Sequence, residues 1–293
     1  MSRTFETIKL DVEGGVATIT LARPERMNAI NATMTLELIS ALDIVDKDDE
    51  VRAIILTGEG EKAFCAGADI SGGAATFDYA KRDPGIRAEA ERGGTYRDSG
   101  GRVALRIYNS LKPVIGAING AAVGAGATIP LACDIRLASD TARFGFPFVR
   151  RGIVPESASS WFLPRIVGIS TALEWVLSGR LISAAEARER RLVRSVHSPA
   201  DLLPAARELA TEIVANAAPV SVALTRQMLW RMQGSPHPME AHRLDSRLVQ
   251  ALGASDDARE GINAFLEKRS PHFRQRVSTD LPEGFPWWTE EQF

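Results

Sequence analysis

The sequence has few residues that bind metal ions or cross-link chains. Two cysteines, Cys65 and Cys133, and four histidines occur among its 293 residues, and neither cysteine belongs to a CxxC pair. This scarcity argues against a zinc site and is typical of proteins in a reducing compartment. The opening residues, MSRTFETIKL, also lack the apolar run of an export signal. We therefore expect a cytoplasmic protein that binds no metal ion.

An excess of charge of one sign is absent as well. The chain carries 35 basic and 37 acidic side chains, which leaves a formal net charge of −2. A nearly balanced charge provides no general attraction to nucleic acids or to anionic membranes. The apolar share of 45% and the charged share of 25% are those of an ordinary globular protein. We expect neither a nucleic acid nor a membrane as a partner.

One long segment is uncharged, the twenty residues from Val114 to Cys133. Its length would allow a membrane-spanning helix. However, Asn119 and Pro130 interrupt it, and its glycines are placed as they are in turns. We therefore favour a buried strand at Val114–Ile118, a turn, and a short apolar helix at Ala127–Cys133.

The start of this short helix has chemical consequences. The first N–H groups of a helix have no partner within it, and the helix dipole makes that end positive. The small residues Gly124, Ala125 and Gly126 leave room for a ligand to approach these groups. The segment therefore suits a bound anion or a developing oxyanion. Tight packing between two buried elements explains the same residues equally well, and the segment alone leaves both interpretations open.

Strands alternate with helices over the first 198 residues. The pattern at Thr7–Val12 and Val16–Leu21 predicts a β-hairpin, and Asn31 is placed to cap the helix that follows it. After Ser198 the pattern is helical to residue 268. We therefore predict an α/β core at residues 1–198 and an all-helical C-terminal domain at residues 199–293.

Two segments differ from this pattern. Residues 71–101 contain three glycine pairs around a charged stretch, which predicts a mobile insertion with some helix. Asp69, just before it, is placed to cap the turn that follows. Near the C-terminus, Phe285, Trp287 and Trp288 concentrate aromatic surface without a core of their own. We expect this tail to dock on a neighbouring surface.

Three segments together resemble the crotonase, or enoyl-CoA hydratase/isomerase, superfamily. They are AFCAGADI at residues 63–70, KPVIGAINGAAVGAGAT at 112–128 and GIVPESASS at 152–160, in the order and spacing of that superfamily. The resemblance implies a crotonase-like spiral of ββα repeats with a C-terminal helical trimerisation domain. It also implies an acyl-CoA substrate, no cofactor besides the coenzyme A of that substrate, and a homotrimer or a dimer of trimers.

The resemblance also implies roles for particular residues. The backbone N–H groups of Ala68 and Ala125 would form an oxyanion hole for the thioester carbonyl. The residues implied to bind the substrate are Ala66, Asp69, Ile70, Thr128, Phe148 and Lys268. Thr128 and Phe148 occupy the positions at which hydratases of the superfamily carry two glutamates. Neither side chain acts as a general base at neutral pH, so ordinary hydratase activity is not expected.

Glu156 is the carboxylate that remains in the third segment. Its setting resembles the single catalytic glutamate of delta-3, delta-2-enoyl-CoA isomerases, whose motif reads much like PESASS. Alternatively, it caps the following helix, where the dipole favours negative charge. The apolar neighbours Phe146, Phe148 and Trp161 would raise its pKa, and the helix start would lower it. We predict an enoyl-CoA isomerase with Glu156 as its acid–base. The alternatives are a hydratase, or another crotonase reaction with a different base, and an acyl-CoA-binding protein without catalysis.

Overall fold

A computed structural model describes residues 4–81, 90–92 and 94–293 of the chain. Its strands are β1 (Ile8–Glu13), β2 (Val16–Leu21), β3 (Ala53–Gly58), β4 (Ala63–Cys65), β5 (Glu91–Arg92), β6 (Thr95–Tyr96), β7 (Val114–Ile118), β8 (Ala121–Val123), β9 (Ile135–Ser139), β10 (Arg143–Gly145), β11 (Leu181–Ser183) and β12 (Ser195–His197). Its α-helices are α1 (Ala32–Lys47), α2 (Ser99–Tyr108), α3 (Ala125–Thr128), α4 (Ser159–Val167), α5 (Ile169–Ser178), α6 (Ala184–Glu189), α7 (Pro199–Asn216), α8 (Pro219–Arg231), α9 (Pro238–Gly253) and α10 (Asp256–Glu267).

Two sheets organise the N-terminal part. The larger has the strand order β1-β2-β3-β7-β9-β12, and the smaller has the order β11-β10-β8-β4. β1 and β2 pair antiparallel, which confirms the predicted hairpin. From β2 onwards the strands of the larger sheet are parallel. In the smaller sheet β4, β8 and β10 are parallel, and β11 is antiparallel to β10.

Consecutive strands are divided between the two sheets. β3, β7 and β9 are neighbours in the larger sheet, and the strands that follow them, β4, β8 and β10, are neighbours in the smaller one. A helix comes after each pair: α2, α3 and α4. This is the crotonase-like spiral of ββα units. Because β4 and β8 are parallel neighbours, the loops that follow them lie side by side.

Apolar residues cover both faces of the larger sheet. Leu38 of α1 belongs to the same core cluster as Ile54 of β3. On the opposite face, Ala206 of α7 packs in a second cluster with Ile55 of β3. Burial on both faces explains why these parallel strands are almost continuously apolar in sequence. Helix α7 therefore packs on the core sheet, although it follows the boundary predicted at Ser198.

The start of the helix after β8 differs from the prediction. It was expected at Ala127, but α3 begins at Ala125 and tightens into a 3-10 turn at Ile129–Ala132. Gly124 has a φ of 56° and ends β8 abruptly, so the helix starts at the next residue. The predicted cap of α1 is confirmed, since Asn31 accepts a hydrogen bond from the Met34 N–H at 2.8 Å.

The turn that follows Asp69 also differs from the prediction. Its short 3-10 helix at Gly73–Ala75 has no side-chain cap. Instead, the Asp69 carboxylate accepts a hydrogen bond from the Ser71 N–H at 3.0 Å. The side chain closes a local turn rather than a helix end, because three residues separate Asp69 from Gly73, the first helical residue.

The predicted mobile insertion is partly outside the described residues. The described portion contains 3-10 turns at Gly73–Ala75 and Tyr79–Lys81 and the hairpin of β5 and β6. Residues 82–89 and 93 are not among the described residues. Over the described ranges, no helix is long and apolar enough to cross a membrane.

The C-terminal helices form an apolar cluster of their own. Val220 and Leu224 of α8 and Leu244 of α9 are buried in it, and Phe285 and Trp287 pack against it. The aromatic tail therefore docks on helices of its own chain. This confirms the prediction that the tail docks on a neighbouring surface.

Candidate active site

A cavity of about 920 Å³ lies where the loops after β4 and β8 meet the segment before α4. This volume suits a small-molecule ligand. Seven predicted site residues contribute to its wall: Ala66, Ala68, Asp69, Ile70, Ala125, Phe148 and Glu156. The fold thus brings together residues from three separate sequence motifs.

The loops that carry Ala68 and Ala125 touch each other through Gly67. Its φ of 100° favours glycine, and a Cβ atom there would lie 2.6 Å from the Val123 carbonyl oxygen and 3.6 Å from the Ala125 nitrogen. Within the described part of the chain, neither Ala68 nor Ala125 donates a backbone hydrogen bond outside regular elements. Ala125 begins α3, so its N–H has no acceptor within that helix either. Two N–H donors are therefore left for a ligand in the wall of one cavity.

Asp69 contributes a carboxylate that already has partners. One oxygen lies 2.9 Å from a guanidinium nitrogen of Arg23, and the other accepts the Ser71 N–H. The hydrogen bonds of Ser71, and after them the contact with Arg23, lower the pKa of this carboxyl group. The charge of Asp69 therefore fixes the loop that carries Ala68.

Glu156 has both carboxyl oxygens hydrogen-bonded. The Thr128 hydroxyl lies 2.6 Å from Oε1, and the Ser157 hydroxyl lies 2.5 Å from Oε2. Ser157 and Ala158 have φ values of 61° and 51°. Residues other than glycine rarely adopt such values, and those that do are concentrated at functional sites. Helix α4 begins at Ser159 without a side-chain cap. The interpretation of Glu156 as a helix cap is therefore wrong.

Thr128 and Phe148 contribute in different ways. Thr128 is fully buried and hydrogen-bonds Glu156 and the Ser157 hydroxyl, at 2.6 and 3.0 Å. Phe148 is 4% exposed and adds apolar surface to the cavity. Neither is a proton carrier, so of these residues Glu156 alone has an acid–base group.

The surroundings of Glu156 favour its protonated form. Its pKa is raised to about 7, first by burial and then by the side chain of Asp98, through a hydrogen bond and through its negative charge. The hydroxyl groups of Ser157 and Thr128 lower it in part. The predicted rise through burial is confirmed. The opposing influence comes from these two hydroxyls and not from a helix start.

Asp98 is a site residue that the sequence analysis missed. It caps α2, where Oδ1 accepts the Gly101 N–H at 2.5 Å, and the same oxygen lies 3.1 Å from the Ser157 nitrogen. An aspartate before an apolar helix signals such a cap. Nothing in the sequence indicates that this cap lies beside Glu156, because the tertiary fold makes that contact.

Lys268 is not part of this cavity wall. It ends α10 in a left-handed conformation with a φ of 53°, and its side chain is exposed. Its implied contact with coenzyme A stays a prediction. Among residues 4–81, 90–92 and 94–293, no group of three His, Cys, Asp or Glu side chains is arranged to hold a metal ion.

Gly100 gives the carboxyl group of Glu156 its space. A Cβ atom at Gly100 would lie 2.0 Å from Oε2 of Glu156 and 2.1 Å from Oγ of Ser157. We expect Gly100→Ala to displace the carboxyl group and lower turnover by on the order of 10- to 100-fold, since small misplacements of reacting groups are costly. Gly253→Ala, at a helix end with nothing within 4 Å of the added Cβ, is the control. Equal rates for the two variants would contradict this role of Gly100.

The comparisons with known proteins agree with this geometry. Residues 11–276 match the family model described as enoyl-CoA hydratase/isomerase. An enoyl-CoA hydratase of Alternaria alternata is 40% identical over 271 residues, which cover 92% of this chain and 86% of that protein. A 1,2-epoxyphenylacetyl-CoA isomerase of Escherichia coli is 35% identical over 92% of this chain and 98% of its own length.

A solved structure has the same fold. The probable enoyl-CoA hydratase/isomerase from Mycobacterium abscessus superposes with a TM-score of 0.82 and 34% identity, over 92% of this chain and 99% of that one. The chain belongs to the enoyl-CoA hydratase/isomerase family, the crotonase superfamily. It is an acyl-CoA enzyme with the crotonase fold.

Proposed function

We propose that this enzyme is an enoyl-CoA isomerase that converts a 3-enoyl-CoA into the conjugated 2-enoyl-CoA. Glu156 is the acid–base, and the N–H groups of Ala68 and Ala125 bind the thioester oxygen. The observation that carries the proposal is a buried carboxyl group, with a pKa of about 7, in the wall of the same cavity as those two N–H groups.

The chemistry requires one carboxyl group. Ionised Glu156 removes a proton from C2, and the electrons of that C–H bond form a dienolate whose negative charge lies on the thioester oxygen. Two N–H donors stabilise this charge. The electrons then return, the double bond forms between C2 and C3, and C4 takes the proton from Glu156. The balance closes without a cofactor besides the coenzyme A of the substrate.

The test compares two reactions of the unmodified enzyme. A 3-enoyl-CoA and the matching 2-enoyl-CoA are supplied separately, and conjugation and hydration are followed by absorbance of the enoyl thioester. We expect isomerisation to be faster than hydration. Rapid hydration with no isomerisation would overturn the proposal, and tight acyl-CoA binding with neither reaction would favour a binding protein.

Hydration is the second candidate because of Asp98 and because of the relatives. Asp98 adds another carboxyl group beside Glu156, and a relative 40% identical to this chain is named an enoyl-CoA hydratase. Addition of water needs a base for the water and an acid for C2. Thr128 and Phe148 provide neither, so hydration would depend on the pair that Glu156 forms with Asp98.

We also propose that the chain forms a homotrimer or a dimer of trimers. Helices α9 and α10 leave large apolar side chains exposed, with Phe265 at 81%, Val249 at 71% and Leu266 at 71% exposure. Such surface is expected to be covered in an assembly. Phe265→Glu should lower the mass measured by light scattering at micromolar concentration. A monomeric parent enzyme would refute the assembly.

A further inference from the structure

Two carboxyl groups of the cavity wall meet at one serine, Ser157. The Ser157 nitrogen lies 3.1 Å from Oδ1 of Asp98, and the Ser157 hydroxyl lies 2.5 Å from Oε2 of Glu156. Both acidic residues line the cavity, together with Gly100. Gly100 lacks the Cβ atom that would lie 2.0 Å from the Glu156 carboxyl oxygen. Ser157 therefore contacts both carboxyl groups, and Gly100 leaves room for that of Glu156.

The two groups are not equivalent. Asp98 accepts the Gly101 N–H at the positive end of the ten-residue helix α2, and it accepts the Ser157 N–H as well. These donors stabilise a negative charge on Asp98. Glu156 receives hydrogen bonds from two hydroxyls and no helix start. Glu156 is therefore the carboxyl group of the two whose protonated form is favoured by its surroundings.

We propose that Asp98 and Glu156 form a carboxyl pair that shares one proton, in which Asp98 is the positioning residue that sets when Glu156 becomes a base. This inference rests on the proposed role of Glu156. Two carboxylates a few ångströms apart do not both ionise readily, so the charge of Asp98 keeps the proton on Glu156 to higher pH. Near neutral pH the pair then supplies an acid and a base in rapid exchange, which suits a reaction that removes and returns a proton.

Other charged groups near Glu156 do not replace Asp98 in this role. The remaining titratable side chains that line the described part of the cavity are Arg26, Asp69, Tyr79, Lys81 and Arg151. The buried Cys65 thiol is also close enough to respond to Glu156, but burial raises its pKa to about 12. Asp98 is the charged side chain that raises the pKa of Glu156.

The sign of the effect follows from the charges. Asp98 raises the pKa of Glu156, so removal of its charge should lower it. Asp98→Asn is the informative variant because asparagine caps a helix as well as aspartate and keeps an oxygen for the Gly101 and Ser157 N–H groups. We expect the acidic limb of the pH–rate profile, near pH 7 in the parent, to move down by about one unit or more. The plateau rate at high pH should fall, because the base becomes weaker.

A matched control separates this effect from a change of net charge or of helix α2. Asp43 of α1 forms an ion pair with Arg106 of α2, at 2.6 Å. Asp43 does not line the cavity. Asp43→Asn should leave the acidic limb where it is. Asp98→Ala, which also removes the helix cap, should add a loss of thermal stability. A purely structural Asp98 would lower stability in both Asp98 variants without moving the limb.

A measurement without turnover keeps the pair testable if the enzyme is not an isomerase. The parent, Asp98→Asn and Glu156→Gln proteins are labelled with carbon-13 at glutamate carboxyls and titrated by NMR. A resonance that is missing in Glu156→Gln and titrates lower in Asp98→Asn than in the parent would support the pair. An unchanged titration in Asp98→Asn would overturn it. An inactive parent with the expected shift would overturn the isomerase assignment and leave the pair standing.

Discussion

Glu156→Gln is expected to lower isomerisation of a 3-enoyl-CoA by about 10²- to 10⁴-fold, the usual cost of removing a general acid–base. Glutamine keeps the size of the side chain and still accepts a hydrogen bond from the Thr128 hydroxyl, 2.6 Å from Oε1 in the parent. It cannot carry a proton between C2 and C4. Binding of coenzyme A should persist, because the rest of the cavity wall is unchanged.

Two further variants make this experiment specific. Glu174→Gln changes a half-exposed carboxylate on α5 that pairs with Arg180, and it should leave the rate unchanged. Thr128→Val removes a hydrogen bond to Glu156 but no proton carrier, so it should cost much less than Glu156→Gln. Single-turnover rates on one 3-enoyl-CoA give the comparison. Activity that survives in Glu156→Gln would place the base elsewhere.

Glu156→Gln has a second expected result, a change in the stability of the fold. The pKa of Glu156 is raised from 4.5 to about 7. Its contribution to stability is therefore complete below pH 4.5 and is lost as the pH rises through 7. At pH 8 the parent buries a charge that glutamine lacks, so Glu156→Gln should be more stable there by up to ~3 kcal/mol. A lower stability than the parent at pH 8 would show that the substitution disturbs the fold.

Arg226→Ala is expected to lower the free energy of unfolding by about 3–5 kcal/mol, the range for breaking a buried ion pair. Arg226 of α8 is 6% exposed and lies 2.8 Å from a carboxylate oxygen of Asp134. Its guanidinium also donates to the carbonyl oxygens of Ile107, Tyr108 and Ser110. One side chain thus satisfies three carbonyl groups at the end of α2 and the carboxylate of Asp134, and it ties α8 to the core.

The control for Arg226 is an arginine whose ion pair is exposed. Arg207 of α7 lies 3.4 Å from Glu13, with both side chains well exposed. Arg207→Ala should cost at most about 1 kcal/mol, because water screens such pairs. Urea denaturation of the parent and both variants gives the free energies. A cost for Arg226→Ala no larger than that for Arg207→Ala would show that the docking of α8 does not depend on this arginine.

The sequence by itself determined the periodic features of this protein. Three such features are as predicted: the buried strand at Val114–Ile118, the β1–β2 hairpin near the start of the chain, and the helix cap at Asn31. They follow from the local hydrophobic period and from local hydrogen bonding. The three motifs of the superfamily also mark residues that share one cavity. Short-range rules and recognisable motifs are enough for such features.

The tertiary structure alone decided what surrounds Glu156. Its partners Thr128 and Asp98 come from the helix after β8 and from the cap of α2. The carboxyl group also occupies the space that a Cβ atom at position 100 would need, which glycine leaves free. Nothing in the sequence indicates that Thr128, Asp98 and Gly100 meet at Glu156. A pKa depends on burial and on charges within a few ångströms, and residues distant along the chain supply both. The protonation of the candidate base is therefore a property of the fold, whereas its identity as a carboxyl group was already visible in the sequence.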